Sequence, residues 1–344
     1  MTYNEWTEIP EGFFECPASG IVHFSRQPVL LHLPGRKQQP LFVSILLHGN
    51  EDTGWRALQM VLKKYRGRDL PRRMSVFIGN VEAAAAGVRR LDDQVDFNRI
   101  WPGTPLSGTR EAQTTAEVVR RMQMLNPFAF IDIHNNTGIN PFYACVTDVH
   151  AHNLYLARLF SRIAVYFRTP VGTAAGAMAA ICPSVTVECG KAGMTAGDEH
   201  AAELIEAALH LDHFPQKGHT VEDLLIYHTI ATVKVPAALS LAFGDTPADV
   251  NFPAHFEEWN FRELEAGCVF AHNTTTEIPF EVSDETGRNT PEKFFARHGD
   301  EIRLTRRLMP AMITTNEKII RQDCLCFLME LFWPQDTISG AAQR

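Results

Sequence analysis

The chain has 344 residues, of which 45% are hydrophobic, and its formal net charge is −8. At about 150 residues per domain this length predicts roughly two domains, and one large domain with a smaller one fits best. The charge is spread without long blocks of one sign, which argues against nucleic acid or an anionic membrane as the partner. We therefore expect a small-molecule partner.

Cysteine usage and the N-terminal residues indicate the compartment. The seven cysteines have no regular spacing, which argues against a disulfide framework and indicates a reducing environment. The first residues are acidic and lack the basic and apolar regions of a secretory signal. No window approaches the roughly 18 apolar residues of a membrane span. These features predict a cytoplasmic protein that contacts no membrane.

In chain order, the first two thirds of the sequence alternate between strand and helix patterns. Residues 20–34 alternate loosely between apolar and polar, which predicts an edge hairpin. Apolar runs then predict four buried strands, which are Leu41–Leu47, Met74–Val81, Phe128–His134 and Ser184–Glu188. Helical periodicity or composition predicts helices at Thr53–Tyr65, Glu111–Leu125, Tyr155–Phe167 and Gly197–Leu211. This alternation predicts an α/β domain with a largely parallel sheet.

The character of the sequence changes near residue 215. Residues 213–219 contain a proline and a glycine on either side of two polar residues, which indicates a turn and a domain boundary. Beyond it, Tyr227–Val235 and Glu277–Val282 predict strands, and few helical runs occur. We therefore predict a catalytic domain at residues 1–215 and a smaller β-rich domain at residues 216–344.

Polar clusters follow three of the four predicted strands. His48 and Glu51 follow the first, His134 ends the third and Glu188 ends the fourth. Open α/β sheets bind ligands outside the carboxyl ends of their strands, so these side chains are expected to converge. Catalytic zinc takes three His or carboxylate ligands and retains a position for water. Hence His48, Glu51 and His134 are candidate ligands, and Glu188 is the candidate general base.

Each of these residues also has an ordinary structural explanation. A single histidine among 14 is more often a core or surface residue than a ligand, and a glutamate in a first helical turn is favoured by the helix dipole. Asp132 is more readily explained as a partner of a ligand than as a ligand. The joint placement at strand ends favours the metal. The histidine pairs at 150/152 and 210/213 are interpreted as structural, and neither a P-loop nor a Gly-x-Ser-x-Gly elbow occurs.

Four motifs in order resemble one known family. HGNE at 48–51, DFNRIWPG at 96–103, DIHNNTG at 132–138 and TVECG at 186–190 are similar to motifs of the succinylglutamate desuccinylase/aspartoacylase family, in the M14 zinc carboxypeptidase superfamily. The gaps also match, with 83 residues from Glu51 to His134 and 54 more to Glu188. The resemblance covers about residues 40–210. It implies a zinc-carboxypeptidase-like, mixed and largely parallel sheet flanked by helices, with a smaller C-terminal β-rich domain.

The resemblance implies a role for each matching residue. One zinc ion per chain would be held by His48, Glu51 and His134, and Glu188 would activate the attacking water. Asn98 and Arg99 resemble the pair that holds the α-carboxylate of the substrate, a task that suits the guanidinium fork. The family also has an upstream arginine that polarises the scissile carbonyl. We assign that role to Arg90, with Arg89 as the rival.

The sequence also departs from the family pattern. Asn80-Val81-Glu82-Ala83 lacks the proline that usually follows the asparagine, and the loop before Asp96 is one residue longer. The region about ten residues before Glu188 lacks the arginine that reads the aspartate side chain in aspartoacylases. The substrate therefore need not be N-acetylaspartate. The resemblance and the candidate site together predict a zinc-dependent deacylase of small N-acyl amino acids, and a homo-oligomer is possible. The alternatives are a carboxypeptidase acting on short peptides and a metal-binding protein without catalysis.

Overall fold

The computed structural model describes residues 3–215, 223–275 and 277–333. The chain divides into two compact units, one comprising Met1–Asn135 and Phe142–Leu225 and the other Asn136–Pro141 and Ile226–Arg344. The boundary predicted after residue 215 adjoins residues 216–222, which lie outside the described ranges, so it stays a prediction. A short segment, Asn136–Pro141, belongs to the second unit although its neighbours on both sides belong to the first.

The first unit is built on a mixed sheet. Its strands are β1 (Asn4–Trp6), β2 (Val29–Leu33), β3 (Gly35–Ile45), β4 (Leu70–Ile78), β5 (Ala129–Asn136), β6 (Tyr143–Val146), β7 (Ile163–Tyr166) and β8 (Ser184–Lys191). They lie in the order β1-β2-β4-β3-β5-β8-β6-β7. β3 pairs in parallel with both β4 and β5, whereas β2 and β6 introduce antiparallel pairs with β4 and β8. Each of the four predicted strands overlaps one observed strand. The match is 41–47 with β3, 74–81 with β4, 128–134 with β5 and 184–188 with β8.

Helices flank this sheet. They are α1 (Thr53–Lys64), α2 (Val81–Ala86), α3 (Arg110–Leu125), α4 (Ala151–Phe160), α5 (Ala174–Ala179) and α6 (Thr195–His210). α3 begins after Thr109, whose side chain accepts from the Ala112 N–H at 3.2 Å, and it ends at Asn126 in a left-handed conformation. The mixed α/β fold with a largely parallel sheet and flanking helices is confirmed.

Two sequence predictions at the local level are wrong in the first unit. The helix predicted over Tyr155–Phe167 ends at Phe160, and residues 163–166 form β7. Their sequence, IAVY, is rich in β-branched and aromatic residues, and it pairs with β6. The hairpin predicted at residues 20–34 is absent, because residues 18–23 form a 3-10 helix and β2 pairs with β1 and β4.

The central strands stand on an apolar core. Phe42 of β3 and Phe130 of β5 have ring centroids 4.8 Å apart, and both pack in one cluster with Val118 and Met122 of α3. These side chains are fully buried, and each contributes about 1.5–3 kcal/mol of hydrophobic free energy. The carboxyl ends of β3 and β5, which carry candidate site residues, are thereby held on a rigid base.

The second unit is rich in β-structure. It contains β9 (Leu225–Lys234), β10 (Leu241–Phe243), β11 (Val250–Phe252), β12 (Val269–Asn273), β13 (Glu281–Asp284), β14 (Phe295–His298), β15 (Glu301–Leu304), β16 (Met309–Ala311), α7 (Glu317–Gln322) and β17 (Cys326–Leu331). β9 pairs antiparallel with β13 and β17, and a second sheet has the order β10-β11-β12-β15-β14. The predicted C-terminal β-rich region is confirmed. No helix within the described ranges is both long and apolar enough to span a membrane.

Candidate active site

The loop after β3 is held in place by its backbone. Leu46, directly after the strand, has φ +53°, a conformation that is uncommon for a residue other than glycine. The Gly49 N–H donates to the carbonyl oxygen of Arg89 at 3.1 Å. A Cβ atom on Gly49 would lie 2.1 Å from the carbonyl carbon of Ala83. Only glycine therefore allows α2 to approach the loop that carries His48 and Glu51.

Three predicted ligands meet beside this loop. Possible ligand atoms of His48, Glu51 and His134 lie within 4.8 Å of one another, and this is the one such group among the residues that the structure describes. The Nδ1 atom of His48 lies 2.8 Å from one carboxylate oxygen of Glu51, and the Nδ1 atom of His134 lies 2.7 Å from the other. All three side chains are buried. The arrangement can bind a metal ion.

The second nitrogen of each imidazole faces another carboxylate. The Nε2 atom of His48 lies 3.1 Å from Asp96, and the Nε2 atom of His134 lies 2.9 Å from Asp132. Asp132 also accepts hydrogen bonds from the hydroxyls of Ser44 and Thr186. Metal-binding histidines usually donate their other N–H group to such a carboxylate, which fixes the ring and raises its basicity. The donor set therefore fits zinc, for which imidazole nitrogen and carboxylate oxygen are common ligands.

The charges of the cluster shift the pKa values of its members. Burial alone would raise the pKa of Glu51, but His48 and His134 hold it well below its usual range. Burial would lower the pKa of His134, whereas Asp132 and Glu51 raise it well above its usual value. The cluster thus stabilises a carboxylate between two imidazoles, and a cation in that position would replace the positive charge of the protonated rings.

Glu188 differs from Glu51 although both are buried glutamates. It lies in β8, where Tyr143 of β6 is its cross-strand neighbour. Burial raises its pKa to about 7; Glu51 also raises it, while His134, His48 and Arg89 lower it. These interactions place its carboxyl group within electrostatic reach of the cluster. A carboxyl group with a pKa near neutrality can exchange a proton at neutral pH.

Arg89 and Arg90 have different surroundings. The Arg89 guanidinium is buried and donates to Glu51 at 3.4 Å and to Asp96 at 3.1 Å. Arg90 instead donates to the backbone carbonyl of Gln94, within its own loop, at 2.7 Å. Arg89 therefore lies beside the predicted ligands, whereas Arg90, our sequence-based choice, bonds within its own loop. The Gly49 N–H bond to the Arg89 carbonyl oxygen also holds the backbone of this loop beside the loop that carries His48 and Glu51.

Asn98 contacts the cluster, and Arg99 adjoins it. The Asn98 side-chain amide nitrogen lies 3.3 Å from Nε2 of His134, and its oxygen accepts from the Ala174 N–H at 3.0 Å. Asn98 is buried, whereas Arg99 is half-buried and donates to the Asn98 carbonyl oxygen at 2.9 Å. The structure thus brings Asn98 to the predicted metal ligands and leaves the Arg99 side chain partly open to solvent.

Sequence reasoning missed the part played by Asp96. This residue bonds to His48, to Arg89 and to the Asn98 N–H, so it connects three candidate site residues. Its signal was present, because it is the first residue of the DFNR motif. The histidine pairs interpreted as structural do have structural contacts: His152 stacks on Phe214 with centroids 4.9 Å apart, and His210 contacts Tyr65.

Comparison with protein families identifies one catalytic domain. Residues 38–213 match the family model described as the succinylglutamate desuccinylase/aspartoacylase catalytic domain. These residues make up slightly more than half of the 344-residue chain. They include every candidate site residue named above.

Individual relatives are more distant. A succinylglutamate desuccinylase of Burkholderia thailandensis is 37% identical over 87 residues, and the match spans only 24% of this chain and 24% of that relative. Among solved structures, succinylglutamate desuccinylase from Chromobacterium violaceum has a TM-score of 0.56 at 16% identity and covers 87% of this chain and 86% of its own. Murine aminoacylase 3 has a TM-score of 0.54 at 15% identity, with 86% and 96% covered. Likeness at these identities concerns the fold alone.

Proposed function

The chain belongs to the succinylglutamate desuccinylase/aspartoacylase family, and we propose that it is a zinc-dependent amidohydrolase that removes the acyl group from small N-acyl amino acids. The activity of any one relative cannot be transferred, because the curated match spans a quarter of that relative. The proposal therefore depends on the chemistry of the site.

His48, Glu51 and His134 would hold one zinc ion per chain. Their nitrogen and oxygen donors suit zinc, and Asp96 and Asp132 would keep both imidazoles in the orientation for binding. Zinc in such a site supplies a Lewis acid, which lowers the pKa of water and polarises a carbonyl group.

Glu188 would be the general base and then the general acid. Its carboxylate accepts a proton from the attacking water and returns it to the nitrogen of the leaving amine. Burial raises the pKa of Glu188 to about 7 in the metal-free chain, and a group that titrates near the working pH can hold or release a proton at little cost. Burial in the first unit keeps bulk water from competing for that proton.

Arginines would bind the charges of the substrate and of the tetrahedral intermediate. We assign the carbonyl-polarising role to Arg89 because its guanidinium lies beside Glu51, and a fixed positive charge there stabilises a developing oxyanion. Arg99 would bind a free α-carboxylate through its guanidinium fork. Asn98 would orient that end of the substrate, since its amide already contacts His134.

One observation carries the proposal. Both Nδ1 atoms face the two oxygens of a single buried carboxylate, while both Nε2 atoms face other carboxylates. A purely structural salt bridge does not need this division between inner and outer nitrogens, whereas a three-ligand metal site does.

The test is metal analysis combined with activity. Zinc content is measured for wild type, for Glu188→Gln and for the control Glu199→Gln. The control changes an exposed glutamate of α6. Each is then assayed for amine release from N-acetyl, N-succinyl and N-formyl amino acids and from dipeptides. We expect one zinc per chain in all three proteins and a loss of about 10²–10⁴-fold in kcat for Glu188→Gln alone.

The other outcomes separate the alternatives. Release of C-terminal residues from dipeptides, without deacylation, would identify a carboxypeptidase. Zinc bound with no turnover on either panel would identify a metal-binding protein without catalysis. Absence of zinc from the wild type, or unchanged turnover in Glu188→Gln, would contradict the proposal.

A further inference from the structure

The segment that follows His134 in the chain belongs to the second unit. His134 and Asn135 belong to the first unit, whereas Asn136–Pro141 belong to the second. We propose that Asn260 and Glu257 are positioning residues, which fix this segment and through it the end of β5 that carries His134. The inference rests on the proposed function in one respect, which is that His134 is a metal ligand.

Asn260 joins the segment to a second chain region. Its amide nitrogen donates to the carbonyl oxygens of Ile139 and Ile313, each at 2.9 Å, and its amide oxygen accepts from the Ile313 N–H at 2.8 Å. One side chain therefore satisfies backbone groups in two separate segments of the chain, at Ile139 and at Ile313. A hydrogen bond of this kind contributes about 0.5–1.5 kcal/mol, and an unsatisfied backbone group costs more.

Glu257 completes the clamp on Ile139. One carboxylate oxygen accepts from the Ile139 N–H at 3.2 Å, and the other accepts from the Thr315 N–H at 2.8 Å. The residue lies in a 3-10 helix, Phe256–Trp259, whose two buried aromatic rings have centroids 5.3 Å apart. The donor and the acceptor of Ile139 are thus both bound by side chains that stand on the aromatic core of the second unit.

Close backbone packing removes the remaining freedom of the segment. A Cβ atom on Gly138 would lie only 1.8 Å from the carbonyl oxygen of Ile313, so no other residue fits without a shift of the backbone. Asn140 accepts from the Met312 N–H at 3.2 Å. The segment Asn136–Pro141 is therefore packed directly against residues 312–315.

The other end of the segment is tied to the candidate metal site. The Asn135 N–H donates to Glu51 at 3.2 Å, and the Asn135 side chain donates to the Gly190 carbonyl oxygen at 3.0 Å. Only residues 136–138 separate Asn135 from the clamped Ile139. Three residues in an extended chain span about 10 Å, and Gly138 in this short link packs against Ile313. Release of the clamp should therefore loosen His134 and Asn135.

The experiment compares Asn260→Ala with Asn251→Ala. Asn251 is a matched control: it is also half-buried and makes three hydrogen bonds to backbone, to Gly244, Thr246 and Ala248, none of them in the segment. Two quantities are measured, the hydrogen exchange of the Asn135 and Asn136 amides in metal-free protein and the zinc affinity in competition with a chelator. Asn260→Asp, which keeps the acceptor for Ile313 but loses both donor bonds, and Gly138→Ala are measured alongside.

We expect faster exchange at Asn135 and Asn136 and zinc affinity weaker on the order of tenfold for the Asn260 and Gly138 variants. Asn251→Ala should lower the unfolding temperature without either effect. If Asn260→Ala does not fold, Asn260→Asp decides the question. Exchange rates and zinc affinity equal to those of Asn251→Ala would overturn the inference. If no protein binds zinc, the proposed function fails, and the exchange of the two amides still decides whether the clamp holds the strand end.

Discussion

Two buried glutamates have pKa values shifted in opposite directions, because their neighbours differ. Burial alone would raise the pKa of both Glu51 and Glu188. Both oxygens of Glu51 contact an imidazole, and the attraction holds its pKa well below the usual range. Burial prevails at Glu188, where the pKa rises to about 7. Glu51 therefore favours its charged form, which a metal ligand requires, while Glu188 titrates near neutrality.

The raised pKa of Glu188 predicts a pH-dependent stability of the metal-free protein. The folded chain binds this proton more tightly than the unfolded chain, so wild type loses stability as pH rises from about 4.5 through about 7. A shift of that size corresponds to about 3 kcal/mol. We expect Glu188→Gln to be more stable than wild type at pH 8 by up to that amount, with the advantage shrinking towards pH 4.5.

The measurement is urea unfolding of both proteins with chelator present, at several pH values between 4.5 and 8. The control is Glu199→Gln, whose exposed side chain should leave the pH profile unchanged. A constant difference between Glu188→Gln and wild type across this range would show that the Glu188 carboxyl does not titrate as described.

Arg89 and Arg90 provide a second prediction, in which adjacent residues serve as matched controls. Lysine retains the positive charge but lacks the fork that lets Arg89 reach both Glu51 and Asp96. We expect Arg89→Lys to reduce kcat/KM on the order of 10²-fold on the best acyl substrate. Arg90→Lys should have little effect, because Arg90 bonds to its own loop. A larger loss for Arg90→Lys, at equal zinc content, would restore the assignment made from the sequence.

This pair also shows where sequence reasoning stops at the scale of residues. The motif indicated that an arginine lies upstream of Asn98, but in a loop the direction of each side chain depends on backbone contacts that the sequence does not display. The Gly49 bond to the Arg89 carbonyl is such a contact, and it joins residues 40 positions apart. The convergence of His48, Glu51 and His134 could be predicted, because the ends of neighbouring parallel strands meet at one edge of the sheet.

At the scale of elements, long apolar or periodic segments were predictable and short ones were not. The helix predicted at Thr53–Tyr65 corresponds to α1, and the one at Glu111–Leu125 corresponds to α3. β6 and β7 are only four residues each, and their strand state depends on pairing with each other and with β8. Such short runs carry too few residues for periodicity to distinguish a strand from the end of a helix.

Contact between two elements predicts the effect of a single methyl group. A Cβ on Gly49 would lie 2.1 Å from backbone atoms of Ala83 and Ala84, so Gly49→Ala must push α2 away from the loop. We expect a loss of about 1–3 kcal/mol in unfolding free energy, together with weaker zinc binding. Gly108→Ala is the control, because no atom lies within 4 Å of its Cβ position. Equal stability of the two variants in urea unfolding would contradict the close approach of α2.

At the scale of the whole molecule, the two units are not contiguous in sequence. The sequence predicted one boundary, after residue 215, because a change in the pattern of helices, strands and turn residues is visible only over a long stretch. The six residues of Asn136–Pro141 are too few to change composition, yet they belong to the second unit. Their membership depends on hydrogen bonds to residues more than 110 positions later, such as Glu257 and Asn260.

This discontinuity predicts that the first unit is impaired on its own. A chain that ends after Leu225 keeps every candidate site residue but lacks the partners of Ile139. We expect it to unfold at lower urea concentration than the full chain and to bind zinc more weakly, on the order of tenfold or more. The control is a chain that ends after Trp333, which retains every described residue. Equal zinc affinity and equal stability of the two shortened chains would contradict this prediction. Ile139 would then have lost the side chains of Glu257 and Asn260, which bond to its backbone, without effect.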